Sequence, residues 1–345
     1  MEINFEEVRR LVTEGFISVR KHPTELLWIY NYTPKAQYER KWTSETMQCR
    51  GLIVDEQDRV VARPFGKFFN YEELDGKIPV EPFEVFQKAD GSLGITYWIG
   101  SKPFISTRGS FESEMAVRAN EILHCRYESS LSILNPKTTY LFEIIYPENR
   151  IVVDYGDTED LFFLAAFDTA TGTEHNYEDV WLNQLGGLWP RVQKYDGIRD
   201  LSEIRKFEND KDEGFVIRFE SGLRVKIKFE EYKRLHKILT QCSNKSIWES
   251  LRDGKSLDEI IDRVPSEFRS WVMKTEAGLL AQYYDIEHLA MQEFVDLGDR
   301  KTNALHYKTC KSSQSILFSM LDRKDYSQII WKALRPKFAK PFRED

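Results

Sequence analysis

A lysine two residues before an Asp-Gly pair is the first feature of this sequence that could do covalent chemistry. The segment Gln87-Lys88-Ala89-Asp90-Gly91 follows a run of strand-forming residues, and Asp-Gly is typical of a tight turn. A lysine at the end of a strand, beside a turn, can point into a cleft and act as a nucleophile. The alternative is a surface hairpin with a solvated lysine, and the motif alone leaves both interpretations open.

Two acidic residues stand where a strand pattern expects apolar or neutral side chains. Glu143 interrupts an apolar run, and Glu213 directly precedes another strand-like segment. Just downstream, alternation places Lys226 and Lys228 on one face of a strand, opposite its apolar side chains. Each of these residues could simply face solvent on an antiparallel strand. With Lys88, however, they make up a nucleophile, two carboxylates and two cations.

These motifs, taken in order, resemble those of the covalent nucleotidyltransferase superfamily, which contains DNA ligases, RNA ligases and mRNA capping enzymes. More closely, the chain resembles the bacteriophage-type RNA ligase 1 family, over about residues 28–236. The matching motifs are Arg50-Gly51, KFFN at 67–70, KxDGSL at 88–93, Arg108-Gly109-Ser110 before a helix, Phe142-Glu143, EGFV at 213–216, and VKIK at 225–228 with Tyr232 four residues on.

The resemblance implies an ATP-dependent RNA ligase that carries AMP on Lys88. Attack on the α-phosphorus of ATP needs a neutral amine, whereas a free lysine has a pKa near ~10.4 and is protonated at neutral pH. We therefore expect neighbouring cations to lower the pKa of Lys88, namely Mg²⁺, Lys226, Lys228 and Arg50. The AMP would pass to an RNA 5′-phosphate, and an RNA 3′-hydroxyl would then displace it.

The resemblance also implies a metal and phosphate contacts. Glu143 and Glu213 would hold Mg²⁺ largely through water, because magnesium keeps most of its waters and takes one or two carboxylates; Mn²⁺ could substitute. Arg50, Lys67 and Arg108 would contact the phosphates of ATP. The family often has lysine where Arg108 stands, so the charge is kept while the geometry differs.

Further residues are assigned to the nucleoside by the same resemblance. Asp90 and Gly91 would shape the pocket, with Gly91 allowing close approach to the ribose. Phe163 would stack on adenine, its aromatic neighbour being the alternative. Gln87, directly before the nucleophile, would hydrogen-bond the adenine edge, and Tyr232 would belong to the same nucleotide site.

The elements that must position these residues fall into two regions. Helices are predicted at about 4–20 and 111–125, and apolar spacing near 3.6 predicts helices beyond residue 229. We expect an α+β fold, with residues 1–240 as an antiparallel-sheet nucleotidyltransferase (adenylyltransferase) domain by resemblance, followed by an all-helical C-terminal domain at 241–345. The predicted strands are 25–32, 49–55, 83–88, 93–99, 139–146, 161–167, 214–219 and 223–229.

The end of the chain is basic. Residues 301–345 hold ten Lys and Arg against four Asp and Glu, within a chain of net charge −7. Such a segment can follow a phosphate backbone and stack on bases, or it can be a helix whose aromatics pack inward while its cations face water. In the resembled family this region helps to recognise tRNA, so a tRNA anticodon loop is one candidate substrate. The cluster consists of Lys332, Arg335, Lys337, Lys340 and Arg343, with Trp331, Phe338 and Phe342 among them.

Two alternatives remain beside an RNA ligase acting on 5′-phosphate and 3′-hydroxyl RNA ends. A DNA ligase or capping-type enzyme would need an OB-fold after Lys228, normally a series of short strands, whereas the pattern there is helical. A catalytically inactive nucleic-acid-binding relative is disfavoured because no catalytic position is substituted.

The composition of the chain limits the partners and the cellular location that we expect. The 345 residues contain no apolar run of ~18 residues, so no membrane partner is expected, and the acidic N-terminus does not have the pattern of a signal peptide. Four cysteines lie far apart without a CxxC pair, which predicts reduced thiols and a cytoplasmic location, in the host cytoplasm if the protein is viral. Nothing in the sequence fixes the oligomeric state.

Overall fold

The chain forms two compact units, Met1–Lys233 and Arg234–Asp345. The computed structural model describes residues 3–339 except 75, 199, 210–211, 262–263 and 265. The division between the units falls a few residues before the boundary predicted after residue 240, inside a helix that crosses it. The first unit is mixed α+β with antiparallel sheets and the second is helical, which confirms the predicted fold class at this level.

The first unit is built mainly of strands, and every predicted strand is present. In chain order its elements are α1 (Phe5–Thr13), β1 (Ile17–Lys21), β2 (Leu27–Tyr32), α2 (Pro34–Tyr38), α3 (Ser44–Gln48), β3 (Arg50–Asp55), β4 (Val60–Ala62), β5 (Phe69–Asn70), β6 (Phe83–Lys88), β7 (Ser92–Ile99), β8 (Lys102–Thr107), α4 (Glu114–Arg126), β9 (Thr138–Ile145), β10 (Asp160–Asp168), α5 (Tyr177–Asp179), β11 (Lys194–Tyr195), β12 (Gly214–Phe219) and β13 (Arg224–Lys228).

The opening helix is shorter than predicted. Helix α1 is capped by Asn4, whose side chain accepts the backbone N–H groups of Glu6 and Glu7, and it ends at Thr13. The expected helix to residue 20 is wrong because the following residues form β1, in which Ile17 lies opposite Tyr32 of β2. Pairing with a neighbouring strand outweighs a weak local preference for helix.

In the described residues the strands assemble into three sheets, of order β1-β2-β3-β4, β10-β9-β7-β8 and β11-β6-β12-β13-β5. The pairs are antiparallel except β13 with β5, which is parallel. The first two sheets share a core to which each fully buried aliphatic side chain contributes about 1.5–3 kcal/mol. Its members include Leu27, Ile29, Ile53, Ile95, Leu141 and Ala165.

A second core joins the middle sheet to the third. Helix α4 contributes Ala119, Ile122 and Leu123 to this core. Phe86 of β6 belongs to the same core, and its ring meets the edge of Tyr177 at 5.0 Å between centroids. The ends of β6, β7 and β9 are therefore held together at the place where the predicted catalytic residues lie.

The second unit is helical in its described residues. Its core contains Tyr307, Ile316, Leu317 and Ile330. None of the helices within the described ranges is both long and apolar enough to cross a membrane. Helix α6 begins in the first unit, and α10 was not predicted from the sequence. The elements are α6 (Glu230–Gln241), α7 (Asn244–Arg252), α8 (Asp258–Ile261), α9 (Ser266–Glu293), α10 (Arg300–Tyr307), α11 (Gln314–Leu321) and α12 (Ser327–Ala333).

The basic segment at the end of the second unit is only partly described. Lys332, Arg335 and Lys337 are exposed, and Phe338 is 63% exposed. Trp331 is buried, so its ring packs inward rather than offering a stacking surface. The remaining members of the predicted cluster, residues 340, 342 and 343, lie outside the described residues.

Candidate active site

Lys88 lies where the chain passes from one sheet to another. It is the last residue of β6, and Ser92 is the first residue of β7, which belongs to a different sheet. The segment 89–91 is therefore a crossing between sheets and does not close a hairpin. The Lys88 side chain is 21% exposed. The alternative of a solvated lysine on a surface hairpin is wrong.

A buried carboxylate holds Lys88 in place. Lys88 Nζ donates a hydrogen bond to Glu213 Oε2 at 2.6 Å, and Lys228 Nζ lies 2.7 Å from Glu213 Oε1. Glu213 is only 3% exposed. Burial alone would raise the pKa of Glu213, but the two ammonium groups outweigh it and hold that pKa below its usual range.

Gly214 brings Glu213 to this position. Its φ is +149°, and a Cβ atom there would lie 2.0 Å from the backbone oxygen of Ile227. Residue 214 must therefore be glycine for β12 to pair this closely with β13, where its partner is Lys228. The Glu-Gly pair acts as one unit, in which the glycine permits the strand contact and the preceding carboxylate reaches the lysines.

Glu143 reaches the same region from the middle of β9. Its Oε1 accepts the backbone N–H of Gly91 at 3.0 Å. Burial raises the pKa of Glu143 to about 7, against the opposing effect of Lys88. A Cβ atom at Gly91 would lie 2.5 Å from the backbone oxygen of Ile144. This glycine is thus needed for the crossing segment to pack against β9, a reason separate from the predicted approach to ribose.

Asp90 fixes the crossing segment 89–91 through hydrogen bonds of its carboxylate. It is 3% exposed, and its Oδ2 accepts the backbone N–H groups of Val152 at 2.8 Å and Val153 at 2.9 Å. Its Oδ1 accepts the hydroxyl of Tyr232 at 2.7 Å. Asp90 was predicted to shape the nucleotide pocket and Tyr232 to belong to the same site, and the structure shows that their side chains bind each other. These polar groups satisfy each other and the backbone, and they position Lys88 indirectly.

Three predicted phosphate-binding cations converge from other elements. Arg50 opens β3, Lys67 lies just before β5, and Arg108 follows β8. Each lies over an aromatic ring, which restricts the cation without neutralising it. The pairs and their distances to the ring centroid are Arg50 on Phe68 at 5.5 Å, Lys67 on Phe69 at 4.2 Å and Arg108 on Tyr32 at 5.2 Å.

Two of the cations in this region, Arg50 and Lys226, have unfavourable surroundings. Nη1 of Arg50 is buried and has no hydrogen-bond partner among the described residues. Burial, reinforced by the neighbouring cations Lys67 and Lys88, lowers the pKa of Lys226 to about 8. A buried donor without a partner and a crowded ammonium group are both unfavourable, and a bound anion would relieve both. The region is therefore complementary to a polyphosphate.

These side chains surround one cavity of about 550 Å³, a size typical of small-molecule sites. The predicted residues that line it are Arg50, Lys67, Gln87, Lys88, Gly91, Arg108, Glu143, Lys226 and Lys228. Its apolar wall is formed by Phe86, Leu164, Tyr177, Val192 and Val216. A cationic end beside an apolar wall suits a ligand that combines phosphates with a flat base.

Phe163 does not face this cavity. It is fully buried, and its ring stacks on Tyr177 at 5.2 Å. The prediction that Phe163 stacks on adenine is therefore wrong. A register shift between Phe163 and Ala165 interrupts the alternation of β10, and Leu164 lines the cavity instead.

Gln87 lines the cavity but its amide is already engaged. Its Nε2 donates to Asp212 Oδ1 at 2.7 Å, and its backbone N–H donates to the carbonyl of Gln193 at 2.8 Å. A contact with the adenine edge stays a prediction.

A family model described as RNA ligase matches residues 48–233 of the chain, more than half of its 345 residues. The matched segment contains Lys88, Glu143, Glu213 and most of the residues that line the cavity. The chain belongs to the bacteriophage-type RNA ligase 1 family. The family predicted from the motifs is thereby confirmed, and with it the class of enzyme at the level of the family.

The chain is similar to proteins of other organisms at low sequence identity. A protein of Autographa californica nuclear polyhedrosis virus, described as a bifunctional polynucleotide kinase/RNA ligase, is 25% identical over 266 residues, which are 69% of this chain and 37% of that protein. The chain thus spans little more than a third of the viral relative. An RNA ligase of Rhodothermus phage RM378 is 24% identical over 68% of this chain and 69% of its own length. The structure of an archaeal ATP-dependent RNA ligase is 13% identical, with a TM-score of 0.49 over 89% of this chain and 86% of that one.

The pKa of the proposed nucleophile, Lys88, shifts in the direction opposite to the one expected. Burial favours the neutral amine of Lys88, but Glu213 and then Glu143 outweigh burial and raise the pKa of Lys88. The expected lowering by Lys226, Lys228 and Arg50 is wrong because the Glu213 carboxylate lies directly against the amine.

Glu143 and Glu213 are the carboxylates that could hold a divalent cation. The pKa of Glu143 near 7 means that its charge is poorly compensated, and a nearby cation would favour its carboxylate form. Glu213 is shared between two lysines. In the part of the chain that the structure describes, no group of three or more His, Cys, Asp and Glu side chains is placed to hold a metal ion. Two carboxylates are the donor set expected for a mostly hydrated Mg²⁺, whose binding stays a prediction.

Sequence reasoning missed residues that hold this RNA ligase site together. Tyr155 accepts the backbone N–H of Asp90 at 2.9 Å, beside the two valine amides that bind the Asp90 carboxylate. Glu174 and Arg224 form a partly buried ion pair in the cavity wall. Of these, only Arg224 had a signal in the sequence, because it lies two residues before Lys226 on the same face of β13.

Proposed function

We propose that this chain is an ATP-dependent RNA ligase in which the first unit is the nucleotidyltransferase domain and Lys88 carries AMP. The observation that carries the proposal is the position of Lys88. Its amine is at the wall of a 550 Å³ cavity, 2.6 Å from Glu213. Lys226 and Lys228 line the same cavity, in a member of an RNA ligase family.

The first step would be transfer of AMP to the lysine. The neutral amine of Lys88 attacks the α-phosphorus of ATP, an N–P bond forms, and the bond to pyrophosphate breaks. Lys88 must lose a proton for this step, and the proton would pass to solvent once the ion pair with Glu213 is loosened. Lys226 and Lys228, with Arg50, would neutralise charge on the phosphates and the leaving pyrophosphate.

Nucleotide binding would also have to loosen the ion pair between Lys88 and Glu213. When bound, Mg²⁺ would neutralise phosphate oxygens and compete with Lys88 for the carboxylates of Glu143 and Glu213. Lys228 already holds the other oxygen of Glu213 at 2.7 Å, so this carboxylate keeps a cationic partner when Lys88 turns to the nucleotide. Asp90 keeps the crossing segment fixed throughout.

The later steps would use RNA. An oxygen of an RNA 5′-phosphate attacks the phosphorus of lysyl-AMP, which restores free Lys88 and gives an RNA-adenylate. A 3′-hydroxyl then attacks the 5′-phosphate, a phosphodiester bond forms, and AMP leaves. RNA repair in the cytoplasm, with a tRNA anticodon loop among the candidate substrates, is the setting we propose, and the exposed cations Lys332, Arg335 and Lys337 would assist in holding that RNA.

The proposal is tested by adding RNA to isolated adenylylated protein. A 5′-phosphorylated RNA with a 3′-hydroxyl should release AMP and become joined in a single turnover, while nicked DNA of the same sequence should react much more slowly. Faster sealing of DNA would favour a DNA ligase. Failure of the protein to accept AMP would favour an inactive nucleic-acid-binding relative.

A further inference from the structure

A partly buried ion-pair cluster, two members of which line the cavity, has no part in the steps above. The side chains of Glu174 and Arg224 are 13% and 11% exposed, and both line the cavity. Glu174 Oε1 accepts a hydrogen bond from Arg224 Nη2, and its Oε2 accepts one from Arg218 Nε at 3.1 Å. Arg218 also binds Glu84, which in turn pairs with Lys194 at 2.8 Å. Charges that are partly removed from water are costly unless they are paired, so their presence beside a ligand cavity needs a reason.

The strand register places this cluster at a fixed distance from Lys88. Side chains two residues apart share a face of a strand, so the cavity face of β6, β12 and β13 consists of successive rows. The cluster lies two rows, or roughly 13 Å along the strands, from the reactive lysine. The rows are Lys88-Gly214-Lys228, then Phe86-Val216-Lys226, then Glu84-Arg218-Arg224.

The row between them is suited to a base. Phe86 and Val216 form its floor, and Leu164, Tyr177 and Val192 complete an apolar slot in the same cavity. In a nucleotide whose α-phosphorus lies at Lys88, the base is separated from that phosphorus by the ribose. The base would then occupy the apolar slot, with its outer edge towards Glu174.

We propose that Glu174 reads position 6 of the purine base and selects ATP over GTP, an inference that rests on the adenylylation proposed above. A carboxylate has about four acceptor positions, and the arginines use one on each oxygen, so Glu174 can accept a further hydrogen bond. Adenine presents an amino donor at position 6, whereas guanine presents a carbonyl acceptor there. The amino group of adenine can donate a hydrogen bond to Glu174. The carbonyl oxygen of guanine would instead face the lone pairs of Glu174, which is unfavourable. Arg224 could donate to a guanine carbonyl, but Glu174 holds it.

The first test compares E174Q with the matched variant E84Q. Both changes remove one carboxylate charge from the same cluster, but Glu84 is not among the described residues that line the cavity. Single-turnover labelling of the full-length protein by ATP and by GTP is followed as intact mass. E174Q should lower the ATP-to-GTP rate ratio at least about tenfold, because glutamine offers a donor to the guanine carbonyl, while E84Q should stay within about twofold of wild type. An unchanged ratio in a folded E174Q protein would overturn the proposal.

A second test uses the unaltered protein and so does not depend on a variant that folds. Purine riboside triphosphate lacks the 6-amino group and is otherwise ATP. The wild type should label with it at least about tenfold more slowly than with ATP. Equal rates would overturn the role of Glu174 while leaving adenylylation intact. Absence of labelling by either nucleotide would instead contradict the proposed function.

Discussion

Lys88 Nζ lies 2.6 Å from Glu213 Oε2, and this contact raises the pKa of the proposed nucleophile against the effect of burial. The same carboxylate is bound by Lys228 on its other oxygen. A neutral amine is needed for attack on phosphorus, so activation amounts to an exchange of partners around Glu213. We therefore expect the reactivity of Lys88 to depend on the charges that ATP brings.

The two carboxylates should be needed for the first step. E213Q leaves Lys88 and Lys228 close together without the charge between them, and E143Q removes the second acid. Each variant should slow lysine adenylylation by at least about tenfold, equivalent to ~1.4 kcal/mol. Single-turnover labelling over a range of Mg²⁺ concentrations measures this. The control is E148Q, an exposed acid just beyond β9. Unchanged rate and unchanged metal dependence in E143Q and E213Q would count against the assignment.

ATP affinity should depend on the charge of Lys226. The pKa of Lys226 is lowered to about 8, so its positive charge is present below that pH and lost above it. Binding of an ATP analogue with a methylene α,β-bridge should therefore weaken as pH rises through about 8. Arginine stays charged throughout this range, so K226R should abolish the fall. Calorimetric Kd values report it, with the exposed Lys137→Arg as the control. A K226R profile that falls as the wild type does would refute this role.

Tyr232 should contribute stability through Asp90. Y232F removes the hydroxyl that binds Asp90 Oδ1 and leaves a buried carboxylate oxygen short of a donor. The free energy of unfolding should fall by about 1–3 kcal/mol. Denaturant unfolding measures it, and Y38F, at a tyrosine that is 88% exposed, is the matched control. Equal effects of the two changes would show that the contact with Asp90 is unimportant.

Much of the fold could be predicted because local patterns in the sequence indicate the strands. Alternation and β-branched residues predicted eight strands, and all eight are present. They include β6 and β13, which carry Lys88 and Lys226. The strands β1, β4, β5, β8 and β11 were not predicted. Strand β1 was missed because it follows α1 closely and its apolar spacing also suits a helix. Its pairing with β2 depends on residues far along the chain, which a local pattern does not contain.

The candidate site was predicted as residue types rather than as contacts. Lys88, Glu143 and the paired lysines of β13 do line one cavity, as the motif order indicated. Phe163 was misplaced because the resemblance does not determine which residue of β10 faces the cavity, and a register shift in this strand changes that face. The raised pKa of Lys88 could not be foreseen, because it depends on which charges are nearest to the amine in space.

The exposed cations at the end of the chain should serve RNA joining and not AMP transfer. A full-length variant with Lys332, Arg335 and Lys337 changed to Gln should adenylylate normally. Its joining of a nicked RNA hairpin loop should slow at least about threefold, with a weaker dependence on salt, because fewer phosphates are contacted. A matched variant changes the exposed Lys301, Lys308 and Lys311 of the same unit to Gln. Equal losses in the two variants would contradict a specific role for this segment.

Covalent transfer of AMP to Lys88 is the central claim, and intact-mass analysis tests it most directly. The wild type incubated with ATP and Mg²⁺ should gain the mass of one AMP, and peptide mapping should place it on Lys88. K88A should gain nothing, while the exposed Lys137→Ala should label as the wild type does. An adduct on K88A, an adduct mapped to Lys67 or Lys226, or a wild type that never gains mass would contradict the account.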